Sequence, residues 1–276
     1  MRPIAPSLGA EVRGLDLSKP LDEASLARVR QVLLDHLVIF FRGQELPPER
    51  HKAFAARFGP LETDVFVRGM DAHPEILKVV KRAEDARVFA GNWHADVTFQ
   101  EAPALGSVLY ALEVPALGGD TLFGNMYLAY EALSPGMRDL LAGLTAVHCA
   151  YPSYDSDTMA ARNAQPGGMR YTGSDPRDWT AEHPVVRTHP ESGRKALFVN
   201  RSYTRHFKDM TEAESRPLLG FLLAHMTRPE FTCRFRWRKG SVVFWDNRCA
   251  QHCPIADYPG ERRVMHRITI AGDQVV

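Results

Sequence analysis

The segment Arg263-Val264-Met265-His266-Arg267-Ile268-Thr269-Ile270 carries the reading of both fold and site. Its β-branched and apolar residues predict a strand over Val264 to Ala271. A strand sends alternate side chains to opposite faces, so Arg263, Met265 and Arg267 share one face and His266 takes the other. Two guanidiniums on the face that should be apolar allow two explanations. Either an anion is held inside a barrel, or structural ion pairs reach carboxylates elsewhere, because a buried guanidinium needs an acceptor matched to its fork.

Working outward, further short β-like runs fall at Ile76 to Val80, Gly106 to Leu112, Lys195 to Asn200, Phe231 to Trp237 and Ser241 to Trp245. Helical patterns are fewer. Leu26, Val29 and Leu33 mark a helix over Asp22 to His36, followed by a buried strand Leu37 to Phe41. Pro47-Pro48 opens a second helix that carries Phe54 and Phe58 and ends at Gly59. Tyr127 to Leu144 reads as helical but broken near Ser134-Pro135-Gly136, and Thr211 to Met226 starts with a capping box, Thr211 to Glu214. Tyr151 to Glu182 lacks periodicity and reads as one long loop. Many strands with few helices predict a mainly β chain with helical cover, a sandwich or barrel, in a single domain over residues 1–276.

Composition narrows the function classes. The 276 residues are 45% hydrophobic and 24% charged, too apolar for disorder. Basic residues number 34 and acidic 33, a net charge of +1, so no global field draws nucleic acid or an anionic membrane. Apolar runs such as Leu37 to Phe41 are too short to span a bilayer, and Met1 to Pro6 holds no secretion signal. Four cysteines do not make a disulfide scaffold, so the cytoplasm is the expected compartment.

The chemistry centres on His94-Ala95-Asp96. In an extended segment, residues two apart point the same way, so an imidazole and a carboxylate would converge on one point. His252, just after the strand Ser241 to Trp245, is the best candidate for a third ligand. Two histidines and one aspartate on one face are the ligand set of non-haem Fe(II) oxygenases. A rival zinc site would use Cys249, His252 and Cys253, though structural zinc sites favour paired Cys-x-x-Cys spacings absent here.

Trp93-His94-Ala95-Asp96-Val97-Thr98-Phe99, Gly118-Gly119-Asp120-Thr121, His183-Pro184-Val185-Val186-Arg187-Thr188-His189-Pro190, Trp245-Asp246-Asn247-Arg248 and Arg262 to Arg267 occur in this order. Together they resemble the taurine dioxygenase family of Fe(II)- and 2-oxoglutarate-dependent oxygenases over nearly the whole chain. The resemblance implies a double-stranded β-helix, a jelly-roll barrel. It also implies His94, Asp96 and His252 as iron ligands, and Arg263 and Thr121 as contacts for the far carboxylate of 2-oxoglutarate. Arg267, Ser153, Tyr154 and Tyr203 would lie at the substrate. The implied reaction uses O2 to hydroxylate a C–H bond, releases succinate and CO2, and fragments the product where that carbon bears oxygen or sulfur. The implied substrate is a small acid: an alkylsulfonate, alkyl sulfate or aryloxyalkanoate. A dimer or tetramer is expected, and the alternative is a metal-binding jelly roll without 2-oxoglutarate turnover.

Two positions depart from the taurine-cleaving members. Where those carry a histidine that helps hold the sulfonate, this chain has Asp64, shortly after Arg57-Phe58-Gly59. A carboxylate there repels a sulfonate unless it points away or meets a cationic part of the ligand. Four places before the first metal ligand, a polar residue is replaced by Ala90. These departures put taurine itself in question among the alkylsulfonates, whereas an acidic substrate still fits Arg267. Val88 to Asn92 and Met126-Tyr127 are similar to aryloxyalkanoate-cleaving relatives.

Overall fold

The computed structural model describes residues 1–86, 88–163, 168–173 and 175–275, which are mainly β with a few helices. Its largest sheet has eight strands. They run in the order Arg2–Pro3, Ala10–Glu11, Val38–Phe41, Val242–Asp246, Gly106–Glu113, Arg263–Ile270 and Leu61–Glu62, with Ile76–Lys81 also pairing to Arg263–Ile270. A three-stranded sheet, Thr232–Phe235, Thr121–Asn125 and Ala250–Pro254, faces it. Phe40 from the large sheet stacks on Phe235 of the small one at 4.1 Å between centroids and meets Phe123 edge-on at 5.9 Å.

Strand periodicity explains why the central strands are buried on both sides. Ile39, Phe41, Val242, Phe244, Val108, Ile268 and Ile270 point outward into a cluster roofed by the helices Glu23–His36 and Pro48–Ala55 through Val29, Leu33 and Phe54. Val38, Phe40, Val243, Trp245 and Met265 point inward, toward the small sheet. Both helices start as their sequences direct. Asp22 caps the first by accepting from the Ser25 amide, and proline sits in the first turn of the second. On the other side of the molecule, Glu212–Met226 carries the capping box, with both the Thr211 and Glu214 halves formed.

Several boundaries differ from expectation. Leu37 is the left-handed cap of the first helix (φ 64°), so the strand after it starts at Val38. The second helix stops at Ala55, short of Gly59. Lys195–Leu197 and Thr232–Phe235 are shorter than the predicted runs, whereas the break near Ser134 falls as expected between Met126–Glu131 and Pro135–Ala142. The segment 151–182 is not one loop: it contains a helix, Ser156–Asn163, a 3-10 turn, Pro176–Asp178, and the start of a strand, Thr180–Pro184. Within it, residues 164–167 and 174 lie outside the described residues. Thr121–Asn125 and Ala250–Pro254 escaped prediction because their inward positions carry site residues such as Thr121 and His252, which hide the apolar alternation.

The outer cluster also holds His51, fully buried, with Nε2 3.1 Å from the Val108 carbonyl. Burial, with His266 nearby, pushes its pKa down to about 3. The unfolded chain binds this proton near 6.5 and the folded chain does not, so stability is complete above that pH. It should fall by about 1.4 kcal/mol per pH unit as pH drops toward 3. Urea denaturation between pH 7 and 4 should show His51→Gln with a flatter dependence than the parent. Identical slopes would exclude His51 as a source.

Candidate active site and metal centre

Between the two sheets, His94, Asp96 and His252 bring their ligand atoms within 4.8 Å of one another, all buried. Extended geometry is not what joins them. His94 forms an isolated antiparallel bridge with His252, its amide donating to the His252 carbonyl at 3.0 Å and its carbonyl accepting from the His252 amide at 2.8 Å. The chain then turns, with Val97 in the left-handed region at φ 47°, a costly conformation for a β-branched residue that its surroundings must enforce. Asn247 supplies part of that enforcement. Its Oδ1 accepts from the Asp96 amide at 2.6 Å, and its Nδ2 donates to the Asp96 and Ala104 carbonyls at 3.0 and 3.1 Å. Ser107 donates to Asp96 Oδ2 at 2.9 Å. Ser107 and Asn247 were not among the predicted site residues; the Asn247 signal lay in Trp245-Asp246-Asn247-Arg248, a segment that carries the family resemblance without giving Asn247 a role.

These contacts prepare a cation site. His94 Nδ1 lies 2.7 Å from the Asn92 carbonyl, which fixes its proton there and leaves Nε2 with a free lone pair. Buried His94 Nε2 and His252 Nδ1 have no hydrogen-bond partner. Such orphaned atoms are costly, and a metal ion would satisfy the lone pair of His94. Burial pushes both imidazoles down, His252 the further, with His94 beside it contributing, so both stay neutral. Burial alone would raise Asp96, but the Arg267 guanidinium, with the Ser107 hydrogen bond, holds it at about 2, so it stays anionic. Neutral nitrogen donors and one carboxylate suit a divalent transition metal.

Asn247→Ala is expected to cost about 2–3 kcal/mol of stability by stranding the Asp96 amide. Metal affinity should fall ~10–100-fold. Denaturation and competition with a chelator would measure the two effects. An unchanged affinity would show that Asn247 does not position Asp96.

Arg263 and Arg267 lie on the inward face of their strand, as predicted, and line a cavity of about 50 Å³ with His94, Thr121 and His252. Arg263 is buried over the Trp237 ring at 5.4 Å, and its Nε and Nη2 have no partner. Trp237 Nε1 donates to Thr121 Oγ1 at 3.0 Å, which occupies one lone pair of the hydroxyl and leaves its proton for an acceptor. Trp237, packed in the inner core, thereby also orients Thr121. His266, on the opposite face, is buried away from this cavity.

Arg267 is already paired: Nη1 donates to Asp96 Oδ1 at 3.1 Å and Nη2 to Asp64 Oδ2 at 3.0 Å. Phe89 and Ala90 continue from this cavity into a chamber of about 460 Å³ that includes Ser153, Tyr154, Tyr171 and Tyr203. Ser153 donates its hydroxyl to the Ser202 carbonyl at 2.8 Å, while burial raises the Tyr154 and Tyr203 phenols and keeps them protonated.

The cysteine reading does not fit. Cys249 lies with His189 and Asp246, where Arg248 and His189 already occupy the Asp246 carboxylate, and Cys253 faces the Gly91 carbonyl. Cys249, His252 and Cys253 therefore do not converge. Among the described residues, no helix is long and apolar enough to cross a membrane.

Residues 1–269 match the family model described as taurine catabolism dioxygenase TauD, TfdA family. An alpha-ketoglutarate-dependent sulfate ester dioxygenase of Pseudomonas putida is 37% identical over 99% of this chain and 89% of its own length. An alpha-ketoglutarate-dependent 2,4-dichlorophenoxyacetate dioxygenase of Cupriavidus pinatubonensis is 36% identical over 99% and 98%. Among solved structures, a taurine dioxygenase from Burkholderia xenovorans superposes with a TM-score of 0.84 at 36% identity, covering 100% of this chain and 91% of that one. AAD-2 in complex with Mn(II) and N-oxalylglycine superposes at 0.83 with 28% identity, covering 99% and 98%. The chain belongs to the taurine catabolism dioxygenase TauD, TfdA family, and is a 2-oxoglutarate-dependent dioxygenase.

Proposed function

We propose that this chain is an Fe(II)-dependent member built as a single double-stranded β-helix domain. It hydroxylates a C–H bond of a small acidic organic molecule, with O2 and 2-oxoglutarate consumed and succinate and CO2 released. Sulfate esters and aryloxyalkanoates, the substrates named for its relatives, are the first candidates. Fragmentation follows where the hydroxylated carbon bears oxygen. The observation that carries this reading is one buried pocket, lined by His94, His252 and Arg263, in which His94 Nε2 and Arg263 Nε and Nη2 lack partners. That set calls for a cation and an anion together.

His94, Asp96 and His252 would hold the ferrous ion, which supplies the dioxygen chemistry that no side chain can perform. Arg263 and the Thr121 hydroxyl would hold the distal carboxylate of 2-oxoglutarate, and the fork of the guanidinium fixes its direction. Trp237 keeps Thr121 pointed at that carboxylate. Tyr154, Tyr203 and Ser153, in the wall of the adjoining chamber, would hold the substrate, with Arg267 at its inner end. The mainly apolar packing around the inner cavity, Val79, Leu109, Phe123 and Trp245, excludes water from the reacting centre. The assembly expected is a homodimer or homotetramer.

The test is succinate release by the Fe(II)-loaded protein with alkyl sulfates, alkylsulfonates and aryloxyalkanoates. Substrate-dependent succinate with matching O2 uptake is the expected result. Metal binding without succinate from any member of the panel would instead favour a non-catalytic jelly roll.

A further inference from the structure

We propose that Asp64 is a specificity-determining residue: it shares Arg267 with the acidic group of the substrate and thereby weakens the preference of this site for anions. The inference rests on the function proposed above and names which of this chain's residues tunes it.

Asp64 is rigidly placed. Its Oδ1 accepts from the Phe66 and Val67 amides, both at 2.9 Å, which turns Oδ2 onto Arg267 Nη2 at 3.0 Å. Both side chains are buried, 7% and 6% exposed. The other end of the guanidinium is held by Asp96, leaving only Nε without a partner. Phe66, next to the amides that anchor Asp64, stacks on Tyr154 at 4.5 Å, and Tyr154 lines the chamber. The carboxylate therefore sits beside the place where the substrate would lie.

Charge bookkeeping gives the consequence. Arg263 and Arg267 balance Asp64 and Asp96, and a divalent metal balances a keto diacid. The loaded site is then neutral, and an acidic substrate brings an uncompensated negative charge into a buried space. Without Asp64 the same site would carry one positive charge adjacent to the chamber. An acid reaching Arg267 must compete with a carboxylate that is already in place and costs no ordering entropy to keep there. Among the described residues, those lining the chamber include no Lys, Arg or His that would offer a second anchor.

Asp64→Asn tests this directly. Its Oδ1 can keep both backbone bonds, while its amide turns a donor toward Arg267 and releases the guanidinium. The probes are phenoxyacetate and phenoxyacetamide, alike in shape and one charge apart. The acid-to-amide ratio of kcat/KM should rise about tenfold or more in the variant. The ratio of dissociation constants, from equilibrium dialysis with the metal-loaded protein, should move the same way. Use of ratios cancels any loss of folded or loaded protein, and Asp64→Ala should shift them in the same direction. Unchanged or lower ratios overturn the proposal. If the parent releases no succinate with either probe, the catalytic reading is in question, and the dialysis ratios still decide the role of Asp64.

Discussion

Asp96→Asn is expected to leave the fold standing and empty the metal site. The substitution keeps shape but replaces the anion that three neighbours are arranged around. Arg267 donates to Oδ1, Ser107 donates to Oδ2, and His94 Nε2 lies 3.7 Å from Oδ1. With two neutral imidazoles as the remaining ligands, metal affinity should drop by more than the ~10–100-fold typical of losing a supporting contact. Turnover should drop with it. Arg267 loses one of two partners but keeps Asp64, so the stability cost should sit at or below the low end of the ~3–5 kcal/mol for breaking a buried pair. Metal content after dialysis and a thermal melt separate the two effects. Full metal content with parental turnover would remove Asp96 from the ligand set.

Arg263→Ala should act on the co-substrate and spare the metal. Losing a charge-assisted pair in a buried site costs ~2–4 kcal/mol, a rise of roughly 30- to 1000-fold in the 2-oxoglutarate requirement. In the protein without co-substrate the sign reverses. There Arg263 is a buried cation with unpartnered nitrogens, and removing it should leave the melting temperature unchanged or higher. Added 2-oxoglutarate should stabilise the parent by mass action and the variant hardly at all. Arg263→Lys keeps the charge without the fork and should recover only part of the affinity. A parental dependence on 2-oxoglutarate in Arg263→Ala would show that the distal carboxylate is held elsewhere.

Much of this was legible in the chain because period two survives wherever a strand is apolar. Alternation in Arg263 to Ile270 placed both arginines and Met265 on one face and His266 on the other, and the structure keeps that division. Asp64 and Ala90 were visible as departures, and the sign of the charge at Asp64 was enough to flag the anion pocket. Tyr151 to Glu182 was less legible: its helix and strand are short, and polar loop residues around them mask their periodicity.

The sequence by itself determined the residue types at the centre, their order along the chain and the mainly β class, since these follow from donor chemistry and local periodicity. Tertiary structure alone decided that His94 reaches His252 through a backbone bridge rather than a continuous strand, that Asn247 staples the turn at Asp96, and that Asp64 rather than solvent meets Arg267. Each of these joins residues more than 150 positions apart. Neither propensity nor spacing reports such a contact, because it exists only once two sheets have packed and removed water from between them.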